Sequence, residues 1–164
     1  MSLKLVEHAL ETCAKHLDAS SARNTEIEAY LTRYLLVLVV AVFEEECERL
    51  IAERAAQAKD EPLKAFVESA THQLLRNMKL SELKGYLGRF GSDYQDAFEK
   101  GITNNAARVA FDAIVQSRHE VAHRGGKNTA MTFNDLRQHV ADSREILEAF
   151  AASLAKSVGT SATP

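Results

Sequence analysis

The sequence predicts an all-α fold, a helical bundle built around one long central helix. Glycine and proline are scarce, with 7 and 2 among 164 residues. Apolar residues recur at three- and four-residue spacings along most of the chain, which is the period of amphipathic helices. No segment carries a credible strand pattern. We therefore expect an up-and-down bundle with four or more core helices, in a single domain over residues 1–156.

Composition and charge narrow the class of protein. Hydrophobic residues at 46% and charged residues at 26% are ordinary values for a globular domain. Only the small, polar segment 157–164 is expected to be disordered. The net charge of -3 argues against a general polyanion binder, because that kind of affinity comes from clustered Lys and Arg. A local basic pocket remains compatible with this charge.

Three features favour a cytoplasmic protein that does not enter a membrane. Cys13 and Cys47 lie within helical patterns and lack a C-x-x-C spacing, so we expect buried, reduced thiols. No apolar signal segment follows Met1. The most apolar run, from Tyr34 to Phe43, is shorter than the roughly 20 residues that a membrane span needs. We interpret this run as part of a helix that is buried on all sides.

The first half of the chain predicts three helices. Residues 3–17 form the first, and Asn24 or Thr25 caps a second helix over about 26–56. The valine-rich middle of the second helix would also suit a strand, but helical periodicity continues on both sides without a turn signal. A helix-start signature with acidic residues and proline opens the third helix, which is expected to cover about 60–78.

Short helices are expected in the middle of the chain. Residues 79–101 contain four glycines, so this segment is expected to form short helices joined by turns. Ser92 or Asp93 is the expected cap of one of them. Asn104 or Asn105 then begins a longer helix. The apolar residues of that helix are Val109, Phe111, Ile114 and Val115.

Two more signals organise the last part of the chain. Gly125 and Gly126 are expected to end the helix that begins near residue 104. Thr132 and Asp135 have the spacing of a capping pattern and open the last helix. The apolar residues that mark the buried face of this last helix are Leu136, Val140, Ile146, Leu147, Phe150 and Leu154.

The segment from Arg118 to His123, with sequence R-H-E-V-A-H, places a guanidinium and two imidazoles within about one and a half helical turns. One interpretation is the zinc motif H-E-x-x-H, in which the glutamate acts as the base. A catalytic zinc needs a third ligand, and Thr129 stands where the extended motif has histidine. Glu145 or Glu148 would have to substitute. Because zincins also place a sheet beside this helix, a zinc hydrolase is the distant alternative.

The other interpretation is R-x4-H, formed by Arg118 and His123 near the end of the penultimate predicted helix. This pattern in an all-helical chain resembles the HEPN superfamily, in which the residue after the Arg is typically Asn, Asp or His. His119 fits. Segments similar to the bacterial branch named for its association with RNA ligases, the RiboL-PSP branch, are Val42-Phe43-Glu44, Arg89-Phe90-Gly91-Ser92-Asp93-Tyr94 and Phe111-Asp112-Ala113-Ile114-Val115. The resemblance implies a metal-independent endoribonuclease, or an RNA-binding relative, that works as a homodimer.

The chemistry of this second interpretation also follows from the residues. A histidine imidazole titrates near neutral pH and serves as base or acid, while an arginine suits a phosphate. His123 and Arg118 are therefore the candidate catalytic pair, with no metal or other cofactor required. His119 and Glu120 are candidate supporting residues, although a position on the helix surface would also account for Glu120.

The RNA itself is expected to meet further positive charge just beyond the motif. Arg124 and Lys127 are candidate contacts for the RNA backbone. The resemblance implies a role in phage defence, a toxin module or RNA processing, with an antitoxin or another defence protein as a possible partner.

Two interpretations without catalysis stay open. Arg and His near a helix C-terminus are favourable because of the helix dipole alone, so Arg118, His123 and Arg124 would also suit a charged cap. The chain would equally suit an interaction module, a helical dimer that binds RNA, a nucleotide or a partner protein and cuts nothing.

Overall fold

Seven helices make up the described part of the chain, and no strand occurs in it. The computed structural model describes residues 3–75, 79–123 and 131–155, of which 72–74 and 123 are described by their backbone alone. The predicted all-α class is confirmed. The helices are α1 Lys4–Ala19, α2 Glu26–Ala56, α3 Glu61–Leu74, α4 Leu80–Gly88, α5 Ser92–Gly101, α6 Asn105–His123 and α7 Phe133–Ala155.

The long helix α2 has the predicted bounds and contacts α1, α3, α6 and α7. Thr25 caps it, because the Thr25 side chain accepts a hydrogen bond from the backbone N–H of Ile27. The prediction that its apolar run is buried on all sides is wrong. Tyr34 is 67% exposed and Val37 is 43% exposed, because no other described helix covers that face of α2.

The last two helices form a hairpin that carries much of the core. Thr132 and Asp135 form the predicted cap of α7, since each side chain accepts a hydrogen bond from the backbone N–H of the other residue. Glu145 of α7 accepts hydrogen bonds at the start of α6. All the α7 residues that were predicted to be buried are buried, namely Leu136, Val140, Ile146, Leu147, Phe150 and Leu154.

We expect Glu145→Ala to lower the melting temperature by a few degrees at pH 7. Its carboxylate accepts hydrogen bonds from Thr103 N–H, Thr103 Oγ1 at 2.8 Å and Asn104 N–H at 3.1 Å. The bonds from Thr103 lower the pKa of Glu145 from its usual 4.5. The stabilisation is therefore present above pH 4.5 and lost as the pH falls through the lowered pKa.

Circular dichroism melts of wild type and variant between pH 7 and pH 3 check this prediction. Glu148→Ala is the matched control, because Glu148 is exposed on the same helix. A melting-temperature difference between wild type and Glu145→Ala that stays constant down to pH 3 would contradict the role of the ionised carboxylate.

Two local predictions need correction. The third helix ends at Leu74 rather than near residue 78. The N-cap of α5 is Gly91 rather than Ser92 or Asp93, and its φ of 135° suits a residue without a side chain. Among the apolar residues of α6, Phe111, Ile114 and Val115 occupy the core-facing side, whereas Val109 is 58% exposed.

The remaining sequence predictions concern the cysteines, membrane spans, the glycine pair and the C-terminal segment. Cys47 is buried and Cys13 half-buried, and both are free thiols. In the described ranges, no helix is both long and apolar enough to cross a membrane. The glycine pair 125–126 and the segment 157–164 lie outside the described residues, so their predicted roles stay predictions.

Candidate functional site

The R-x4-H segment occupies the last six residues of α6, from Arg118 to His123. Arg118 is half-buried and His119 is exposed. For His123 the position is given by the backbone alone. Arg124 and Lys127, the candidate RNA contacts, lie outside the described residues.

A row of side chains on α6 connects the motif to the core. Phe111 stacks on Phe43 of α2, with ring centroids 5.8 Å apart and planes 3° from parallel. Phe111 and Val115 also line a cavity of about 20 Å³ with Val40, Phe43 and other residues of α2. Arg118 follows Phe111 by seven residues, or about two turns, and so continues this row. We call the line along which α2 and α6 meet the α2–α6 seam.

Helices α2 and α6 run in opposite directions along this seam. Glu145 of α7 binds the start of α6, so the end of α6 points towards the start of α7. At that end of the bundle, Met131, Thr132 and Phe133 line a cavity with residues of the first turns of α2. The end of α6 therefore lies beside the first half of α2.

The helical rise shows which part of α2 lies level with the motif. At about 1.5 Å per residue, Arg118 lies about 10 Å and His123 about 18 Å beyond Phe111 along α6. Arg33 precedes Phe43 by ten residues on α2, so it is displaced by about 15 Å in the same direction. Arg33 is thus level with the motif. It precedes Val40 by seven residues, or about two turns, so it lies on the face of α2 that lines the cavity.

Arg33 is a functional candidate that the sequence prediction missed. Its guanidinium lies over the ring of Tyr30, 5.1 Å from the centroid. Its Nε is buried and has no hydrogen-bond partner among the described residues. The planar guanidinium of a half-buried arginine is suited to binding an anion such as a phosphate.

The chain matches a known protein family. A model of the RiboL-PSP-HEPN family matches residues 3–156. The chain belongs to this family. The resemblance drawn from the R-x4-H motif is thereby confirmed, together with the helical-bundle fold. Comparisons with curated proteins and with solved structures give no match. Membership in a HEPN family indicates a function that is of the ribonuclease type or otherwise related to RNA.

Two other motif residues take different positions in this RiboL-PSP-HEPN chain. Glu120 accepts a hydrogen bond from Gln116 Nε2 at 3.1 Å. It follows Phe111 by nine residues, which places it about 180° around α6 from the α2–α6 seam. His119 is exposed, on the face of α6 between these two directions. Of the two predicted supporting residues, His119 is therefore the nearer to the seam.

The third ligand proposed for a zinc site lies elsewhere. Glu145 binds at the start of α6, whereas His119 is in the last two turns of that helix. Glu148 lies one turn further from the motif than Glu145. Over the described ranges, no group of three or more His, Cys, Asp and Glu side chains is placed to hold a metal ion. Glu145 and Glu148 therefore lie away from the end of α6 that carries the motif.

Proposed function

We propose that this chain is a metal-independent endoribonuclease that cuts RNA by attack of the 2′-hydroxyl. The observation that carries the proposal is the position of Arg118 and His123 in the last turns of α6 of a RiboL-PSP-HEPN chain. Arg33, level with the motif on α2, supports it with a further cation beside the α2–α6 seam.

The reaction needs a base, an acid and positive charge. The base removes the proton from the 2′-hydroxyl, and the 2′-oxygen attacks the neighbouring phosphorus. The bond from phosphorus to the 5′-oxygen breaks, and the acid protonates that oxygen. The products are a 2′,3′-cyclic phosphate on one fragment and a 5′-hydroxyl on the other, so atoms and charge balance without any cofactor.

The side chains divide these tasks by their chemistry. His123 exchanges protons at neutral pH, as base or acid. Arg118 stabilises the negative charge that builds up on the phosphorane-like transition state. Arg33 binds the same or the neighbouring phosphate, while Arg124 and Lys127 attract the RNA backbone further along.

One motif supplies one imidazole at the helix end, whereas the reaction uses a base and an acid at the same time. A two-fold dimer supplies two copies of His123 and Arg118 around one phosphate. His119 is the alternative source of the second imidazole within one chain. We therefore propose a homodimer with a composite active site.

A non-catalytic role is the second candidate. The exposed Tyr30 and Tyr34 on α2 favour an interaction surface for RNA or protein. In that case Arg118 and His123 cap the negative end of the α6 dipole and bind without cutting. The settings to be tested for either function are phage defence, a toxin module and RNA processing in the cytoplasm, with an antitoxin or defence protein as partner.

Incubating the purified protein with a mixed RNA pool, with and without EDTA, tests the proposed function. We expect cleavage that EDTA does not inhibit, and products with 2′,3′-cyclic phosphate and 5′-hydroxyl ends, read by end-specific ligation. Cleavage that EDTA abolishes would contradict the metal-independent mechanism, and bound zinc in the preparation would support the zinc alternative. Binding of RNA without cleavage would support the interaction module.

A further inference from the structure

One face of α2 exposes large apolar side chains in a regular row. The row consists of Ile27, Tyr30, Tyr34 and Val37, which are 57%, 65%, 67% and 43% exposed. We call these four residues the α2 stripe. Their spacing of three, four and three residues is that of the apolar seam of a two-helix contact. Exposed apolar rows of this kind mark interaction sites.

The second half of the same face is covered within the chain. Continued along α2, the row passes through Glu45, Glu48 and Ala52, which line a cavity with Glu68 and Thr71 of α3. Helix α3 thus packs over this face in the second half of α2, and α3 ends at Leu74. The α2 stripe is the part of the face that the described helices leave without a neighbour.

We propose that the α2 stripe is where a second copy of this chain docks, with the two α2 helices antiparallel across a two-fold axis near Tyr34. The inference rests on the proposed function for its choice of partner, because the composite active site is incomplete without a second copy. A two-fold contact requires one surface to be complementary to itself. An apolar row with this spacing meets that requirement when it packs against its own copy.

The position of the stripe fits a composite site. Tyr34 precedes Phe43 by nine residues, so it lies about 14 Å along α2 from the stacked pair of Phe43 and Phe111. On α6, Arg118 and His123 lie about 10 Å and 18 Å from that pair in the same direction. An axis near Tyr34 therefore passes level with both motifs. The two-fold axis is perpendicular to the plane that contains the two α2 helices. Rotation about it therefore leaves the α2–α6 seams of both copies on the same side of that plane. Arg33 borders the stripe on its seam side, so both copies contribute Arg33 and the motif to one groove.

The size of the stripe is compatible with a dimer. Tyr30 and Tyr34, at 65% and 67% exposure, each offer roughly 100–160 Å² of the 150–250 Å² typical of an aromatic side chain. With Ile27 and Val37, the stripe supplies about half of the ~800 Å² per partner of a standard interface. The ends of the two α6 helices and the flanks of α2 supply the rest. The cation–π contact with Arg33 holds Tyr30 in place before docking.

Tyr34→Glu tests the proposal, because it brings two negative charges together at the axis. We expect the wild type to sediment at twice the chain mass at tens of micromolar, and the variant at the mass of one chain. The expected rise in the dimer dissociation constant is at least about 100-fold, as for a central interface residue. Phe66→Glu is the matched control, since Phe66 is an aromatic residue 70% exposed on α3. That variant is expected to remain a dimer.

A mixing experiment with a second variant separates loss of the dimer contact from loss of the fold. Mixing Tyr34→Glu with Tyr34→Lys protein is expected to restore the dimer mass, because opposite charges then meet at the axis. Ile27→Glu, further from the axis, should weaken the dimer less than Tyr34→Glu. A wild type that stays monomeric at 100 micromolar overturns the proposal, and so does a Tyr34→Glu protein that keeps the dimer mass. If that variant is dimeric but binds RNA more weakly, the tyrosines stack on bases instead.

The mass measurement needs no RNA, so it separates this inference from the proposed function. A dimer that Tyr34→Glu breaks, in a protein that never cuts RNA, keeps the docking surface and removes only the ribonuclease. If both are correct, Tyr34→Glu loses cleavage along with the dimer, and the mixture with Tyr34→Lys regains both.

Discussion

His123→Ala is expected to abolish RNA cleavage, with a loss of at least about 10²–10⁴-fold in the single-turnover rate, the range for removing a general acid or base. In the proposed dimer the variant lacks both copies of this imidazole. His123 is the last residue of α6, and alanine is compatible with that helical position. The measurement is the single-turnover cleavage rate at saturating protein, together with the melting temperature and the sedimentation mass.

His119→Ala is the matched control, since it removes an exposed imidazole one turn earlier on the same helix. We expect it to reduce the rate less than His123→Ala does, through weaker positioning or RNA contact. An unchanged cleavage rate in His123→Ala would remove the catalytic assignment. The opposite order of effects would make His119 the acid or base, and it would leave His123 as a cap of the helix dipole.

The bounds of α2 were predictable because local signals set them. Thr25 accepts the hydrogen bond of an N-cap, and helical periodicity runs through the apolar segment without a break. The exposure of Tyr34 and Val37 was not predictable in this way, since Leu, Val and Tyr look alike in an apolar run. Their exposure depends on how far α3 extends along α2, which is a property of the packed bundle.

In the candidate site too, the sequence predicts the residues that are close together in the chain but not the one that packing brings near them. Arg118 and His123 are close in sequence and share a motif, so their letters alone suggested phosphate chemistry. Arg33 is distant in sequence, and it reaches the level of the motif only because α2 and α6 pack in opposite directions with Phe43 on Phe111. No periodic pattern in the sequence predicts that Arg33 of α2 lies level with the motif of α6. The alternative third zinc ligand, Glu145, failed for the same reason, because the hairpin of α6 and α7 carries it to the other end of α6.

Arg118→Ala is expected to lower the cleavage rate by about 10³-fold or more if Arg118 stabilises the charge of the transition state. That range is typical of removing a positioned donor from a developing negative charge. Arg118 is half-buried and continues the row of Phe111 and Val115 along the α2–α6 seam. A helix cap would give only a small change, since a cation at a helix C-terminus contributes about 0.3–1 kcal/mol to stability and nothing to the chemical step.

Two comparisons separate transition-state stabilisation from capping. Arg118→Lys keeps the charge at the helix end but loses the bidentate geometry, so it should retain the stability of the wild type and recover only part of the rate. Arg108→Ala, on the same helix, breaks the ion pair with Glu99 at 3.1 Å and should lower the melting temperature with little effect on the rate per folded molecule. Arg118→Ala that melts early but cuts RNA at the rate of the wild type would assign Arg118 to the cap. The positive charge that faces the phosphate would then have to come from Arg33, which lies level with the motif on α2.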